Sequence, residues 1–238
     1  MLKTARANRL AAWGGVAGPL VFTAAWGVSS LRQAGLSAGR VQLSGLAAED
    51  ARGPQIMMTG FIVLGACSIG FGAALRRAAE HGAAGPWVVM AGGAAAVAAG
   101  VFRRDRMLLN GPGFPGESWH NQAHDVASFL AYAAMLAAPL VLTRRFRADA
   151  GWAAIARPVQ VLALLSAAAL VLFVSQAAAP WNGTVQRTAV TLALAAEALI
   201  AARMLALQEG PAGPRTALGA NPPAMSSQRK PGARRRQP

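Results

Sequence analysis

The chain has 238 residues, 54% of them hydrophobic and only 13% charged, with a formal net charge of +14. A soluble domain carries roughly 25% charged residues, so this composition excludes a water-clothed globule. The basic residues flank apolar runs without a basic-aromatic motif, which argues against a nucleic-acid binder, and the single cysteine, Cys67, excludes an intramolecular disulfide or a thiolate metal cluster.

Six apolar runs have the length that crosses a hydrocarbon core of roughly 30 Å. The first, 11–30, follows Lys3, Arg6 and Arg9 and exceeds the roughly 7–15 apolar residues of a signal peptide, so it is read as an uncleaved span. The second, 54–75, and the fifth, 158–179, open at Pro54 and Pro158, residues suited to a first helical turn. The third, 86–102, opens at Pro86; the fourth, 120–143, begins in a polar cluster; the sixth is 188–206. These define an all-α polytopic transmembrane bundle over 1–206. Residues 207–238, rich in Pro, Gly, Ser and Arg, are read as a disordered basic tail.

Gly14 and Gly18, and Gly92, Ala96 and Gly100, form small-residue ridges that let helices approach closely, within one bundle or across a dimer seam. Trp13, Trp87, Trp119, Trp152 and Trp181 fall near span ends, where amphipathic rings anchor at a membrane interface. Fifteen basic residues fall on the side carrying both termini and seven in the opposite loops. The richer side is expected to be cytoplasmic, with the protein in the plasma (inner) membrane. The dominance of Arg over Lys, with abundant Ala and Gly, suggests a GC-rich bacterial genome.

Ionisable chemistry concentrates at 103–125: Arg103-Arg104-Asp105-Arg106, a Gly/Pro turn at 110–116, then Glu117-Ser118-Trp119-His120 and His124-Asp125. His120 and His124, four apart, share one helix face, and two such imidazoles with the Asp105 carboxylate form a possible zinc set. The same residues suit a structural network: Ser118 is well placed as an N-cap, and acids near a helix start complement its dipole. Glu197, mid-span, costs about 2.5–3.5 kcal/mol unless protonated, paired or hydrated. It is either a proton or ion site, or an acid bonded to Ser166, Ser175 or Gln176. The loops holding Ser44 and Asp50, the 103–125 cluster and Arg187 are expected to gather into an outward polar cup. In the tail, Arg229, Lys230, Arg234, Arg235 and Arg236 offer contact to anionic lipid or simply fix topology.

Several ordered segments resemble the domain-of-unknown-function 998 family of bacterial six-span membrane proteins. They are Leu43-Ser44-Gly45-Leu46, Met58-Thr59-Gly60-Phe61 with Gly65, Gly100-Val101-Phe102-Arg103-Arg104-Asp105, Trp119-His120 through His124-Asp125, Arg144-Arg145-Phe146-Arg147, and Gly183-Thr184-Val185-Gln186-Arg187. Arg104-Asp105-Arg106 departs from the family's Thr-Asp-Pro, Asn121 from its Gly and Thr184 from its Leu. The resemblance implies six spans, marks Ser44, Asp105, His120, His124 and Arg187, and supplies no activity.

Three functions follow as expectations. One is non-catalytic binding of a small molecule, lipid or ion at the polar cup. Another is metal-dependent lipid hydrolysis, with Asp105, His120 and His124 holding zinc, the metal acidifying a bound water, and Ser44 or Asp50 orienting substrate. The third is proton-coupled transport through Glu197.

Overall fold

The computed structural model of the protein describes residues 2–78, 84–106 and 118–209. They form six α-helices: α1 Leu2–Arg32, α2 Pro54–Ala78, α3 Ala84–Val101, α4 Trp119–Phe146, α5 Ala153–Val174 and α6 Asn182–Glu209. Two 3₁₀ turns, Ser44–Ala47 and Ala179–Trp181, lie between them, and no β-strand occurs among the described residues. Each of the six is long and apolar enough to cross a membrane. The basic tail residues from 210 onward and the turn at 107–117 lie outside the described residues.

Each expected span corresponds to one helix, with two informative shifts. α5 starts five residues before Pro158 because Ile155 and Ala156 are buried and wind an extra turn. It ends at Val174 because Gln176 takes a positive φ of 56°, a left-handed conformation that stops a helix. α6 starts at Asn182 rather than 188, directly after a 3₁₀ turn containing Pro180, so Arg187 belongs to a helix and not to a loop.

Each helix packs on its successor, and α6 returns to α1, closing a ring. Six passes bring the start of α1 and the end of α6 to one end, where Arg9 forms an ion pair with Glu209. That is the terminal end; the other is the polar end. Lipid offers no hydrophobic drive between helices, so close backbone approach must hold the seams. A Cβ on Gly93 would lie 2.6 Å from the Gly65 carbonyl oxygen, so α2 and α3 can meet this closely only with glycine there. The sequence ridges serve the same purpose within one chain: Gly14 and Gly18 face Cys67, Gly92 faces Ala134, and Gly100 lies against the Met58 carbonyl. Large apolar side chains such as Leu20, Phe129, Val171 and Val174 point outward, as a lipid-facing exterior requires.

Inside the ring are two apolar cores. Toward the terminal end, Phe71, Leu142, Phe146, Trp152, Val159 and Ile200 pack together. Trp152 departs from the interface role expected of it: it is 5% exposed and stacks on Phe146 at 4.6 Å. The loop from α4 to α5 tucks it under the bundle, with Arg203 Nε donating to the Gly151 carbonyl at 2.7 Å. Trp87, Trp119 and Trp181 are exposed near helix ends, and Trp13 is exposed about three turns into α1, which starts earlier than the expected span. Toward the polar end, Phe22, Met57, Phe61 and Leu194 pack with Leu43 and Leu46 of the α1–α2 connection. Burying two such leucines contributes about 1.5–3 kcal/mol each, enough to seat that connection in the mouth of the ring.

Candidate functional site

The polar end is a capped network. Residues 43–48 of the α1–α2 connection are all buried, so the segment expected to be one wall of an open cup plugs the mouth instead. It docks on the end of α3 through an isolated bridge between Ala48 and Arg104, with the Glu49 amide donating to the Arg104 carbonyl at 3.1 Å. Asp50 follows in the turn leading to α2 and is half-buried.

Arg104 is the hinge of the first half of the network. Its Nη1 donates to Ser44 Oγ at 2.7 Å and lies 3.0 Å from Asp125 Oδ1. Asp125 Oδ2 accepts from Asn121 Nδ2 at 3.1 Å, and Asn121 Oδ1 accepts from the Asp105 amide at 3.1 Å. The Asp105 carboxylate accepts from the Ser118 amide at 2.8 Å and its hydroxyl at 2.7 Å. Those two donors hold the Asp105 carboxyl below its ordinary range. Ser118 caps α4 as its position suggests, accepting from the Asn121 amide at 3.2 Å.

Arg187 is the hinge of the second half. Its Nη1 donates to the carbonyls of Ala38 at 2.6 Å, Val41 at 2.7 Å and Gly183 at 3.0 Å, and its Nη2 to Ser30 Oγ at 3.1 Å. A Cβ on Gly183 would sit 2.6 Å from the Ala38 carbonyl oxygen, so glycine lets the connection approach α6 this closely. The guanidinium covers the Trp26 ring at 5.5 Å. One residue earlier, Gln186 accepts from the Leu43 amide at 2.7 Å and donates to the Tyr132 hydroxyl at 2.9 Å. Residues 41–44 thus run between the two arginines, with Ser44 on Arg104 and Val41 on Arg187.

The proposed zinc ligands do not assemble. Asp105 folds back toward α4, but to its cap and not to two imidazoles. His124 is fully buried, and its Nδ1 lies 2.8 Å from the Ala99 carbonyl and 3.0 Å from that of Phe102. Two acceptors there assign the proton to Nδ1. Nε2 is buried without a partner, and the ring meets Phe61 edge-on. His120 stacks on Trp119 at 3.6 Å. Among the described residues no three His, Cys, Asp or Glu side chains gather as a metal set, so this donor arrangement does not fit zinc.

Glu197 bonds across the bundle to α2: Ser68 Oγ donates to its Oε1 at 2.8 Å. Ser166, one of the partners expected for it, instead donates to the Ala189 carbonyl at 2.7 Å. Sequence reasoning placed Arg104 and Gln186 in the cup-forming segments without singling them out, and passed over Trp26, Tyr132 and Ser68 as site residues. Tyr132 alone carried a usable signal, being the only tyrosine in the chain and sitting inside an apolar span.

A family model described as "Protein of unknown function (DUF998)" matches residues 16–203. No curated protein matches the chain, and no solved structure matches it.

Proposed function

The chain belongs to the DUF998 family, and from that premise we propose that this multi-pass membrane protein is a non-catalytic binding protein that holds an anionic group at its capped polar end. The supporting observation is a surplus of buried donors. Arg104 Nε, Arg187 Nε and Trp26 Nε1 are all buried without a hydrogen-bond partner. Guanidinium and indole groups only donate, and each unmet donor costs about 1–3 kcal/mol. Against two guanidiniums, Asp125 is the one carboxylate in an ion pair with either among the described residues. A carboxylate or phosphate oxygen supplies the missing acceptors and the missing charge, and Arg suits such groups through its planar fork. Ser44, Asp105, His124 and Asp125 then act as the frame that holds Arg104 and the cap. A ligand reaches the arginines when the 33–53 connection lifts.

The same reading carries an orientation. The arginine excess at the terminal end supports cytoplasmic termini and an outward polar end, in the inner membrane of a bacterium. Reporter fusions at the carboxyl end test that: activity of a periplasm-only reporter would overturn it.

The binding test uses the full chain in nanodiscs of neutral lipid, titrated with inorganic phosphate, acetate and short-chain phosphatidic acid while the melting midpoint is followed. At least one anion is expected to raise the midpoint saturably. Trp26→Phe, which removes the indole N–H along with part of the ring, and Arg187→Lys, which removes the fork, are expected to weaken that effect at least several-fold. If none of the three anions shifts the midpoint, or both variants respond like the parent, the reading fails.

A further inference from the structure

A second site, independent of the polar end, lies in the middle of the bundle. Where α4 and α6 barely touch, a cavity of about 40 Å³ opens between α2, α3, α4 and α6, measured as the space open to the centre of a water-sized sphere. One water needs about 10–15 Å³ on that measure, so the space takes roughly three waters or a ligand of a few heavy atoms. Its walls are mostly apolar, with Gly92, Ala96, Ala134 and Ala138 on one part and larger side chains such as Leu64 and Phe71 on another, and its side-chain polar groups are Ser68 and Glu197. Ser68 occupies Glu197 Oε1 at 2.8 Å. Glu197 is only part-buried and lines the space, and among the described residues its second oxygen takes no hydrogen bond. No Lys, Arg or His stands on any wall.

We propose that this cavity binds a short aliphatic amine as its ammonium ion, paired with the free oxygen of Glu197 and with its hydrocarbon body against the alanine and glycine wall. Charge complementarity selects the head group. A carboxylate among apolar walls lacks a counter-ion, and an alcohol supplies a donor but no charge. An ammonium supplies both, with three donors to share between Glu197 and Ser68. A carboxylate ligand meets only repulsion. The volume selects the body, since space for a few waters admits only a short chain of a few carbons.

Isothermal titration of the full chain in neutral nanodiscs with butylamine, butanol and butyrate tests this. Saturable butylamine binding is expected, at least tenfold tighter than butanol, with none for butyrate. Glu197→Gln is expected to bring butylamine down to the affinity of butanol while leaving butanol unchanged. Ala96→Leu keeps the carboxyl and fills the space, so it is expected to abolish both; it decides the matter should Glu197→Gln not fold. No saturable butylamine binding overturns the site. So do equal affinities for amine and alcohol in the parent, an amine affinity unchanged in folded Glu197→Gln, or amine binding retained in folded Ala96→Leu.

Discussion

At the terminal end Arg9 meets Glu209 with both side chains about half exposed, at 51% and 56%. Arg77 reaches Asn8 and Arg147 reaches Gln160, again on the surface. At the polar end Arg187 is 8% exposed and donates to four oxygens on three separate stretches of chain, and the Arg104 side chain is 14% exposed. The two ends therefore use one residue type in two physical roles. An exposed arginine interacts through water and orients the chain in a membrane; a buried one must be satisfied by the protein and so organises it. Counting basic residues by loop treats them alike, and only burial separates them.

Breaking this contrast gives effects of graded size. Arg187→Gln is expected to do most, lowering stability by about 3–5 kcal/mol, because it strips a buried charged donor and strands the carbonyls of Ala38 and Val41; reversible unfolding in mixed micelles measures it. Ser118→Ala should cost about 1 kcal/mol by removing a helix cap together with a donor to Asp105, read by the same unfolding curves. Asp105 gives a smaller, pH-dependent effect. Its carboxyl is depressed by Ser118 below 3.8, so its contribution is fully present above about pH 3.8 and disappears as pH falls through the lower folded value. Asp105→Asn should flatten that acid limb below about pH 3.8 while leaving the curve near pH 7 parallel to the parent; an unchanged limb refutes the assignment. Arg9→Gln is expected to do least, within about 0.2–1 kcal/mol and less in high salt. A loss as large as that of Arg187→Gln would erase the distinction between the ends.

The mid-bundle acid sharpens the comparison from another side. No cation lines the cavity beside Glu197 among the described residues, whereas Arg187 meets carbonyl and hydroxyl oxygens and Arg104 meets the Ser44 hydroxyl and the Asp125 carboxylate. Among the described residues the ring thus keeps the buried Arg104 and Arg187 at the capped mouth and the Glu197 carboxyl group between two apolar cores.

Amino-acid order alone determined the six helices, since apolar length against bilayer thickness is a local property. It also determined features whose partners are a turn away: the Pro54 start of α2, the Ser118 cap, and glycine ridges that only close seams can use. Ring closure decided the rest. The Ser68–Glu197 bond joins residues 129 apart, and Arg187 reaches carbonyls 146 and 149 residues away. Which face of α6 meets the α1–α2 connection depends on how all six helices pack, and so does the choice of Ser118 over two histidines as the partner of Asp105. Hydropathy records whether a residue dissolves in lipid or water; it carries no record of which distant oxygen a buried donor will find, because that is settled only when the bundle is assembled.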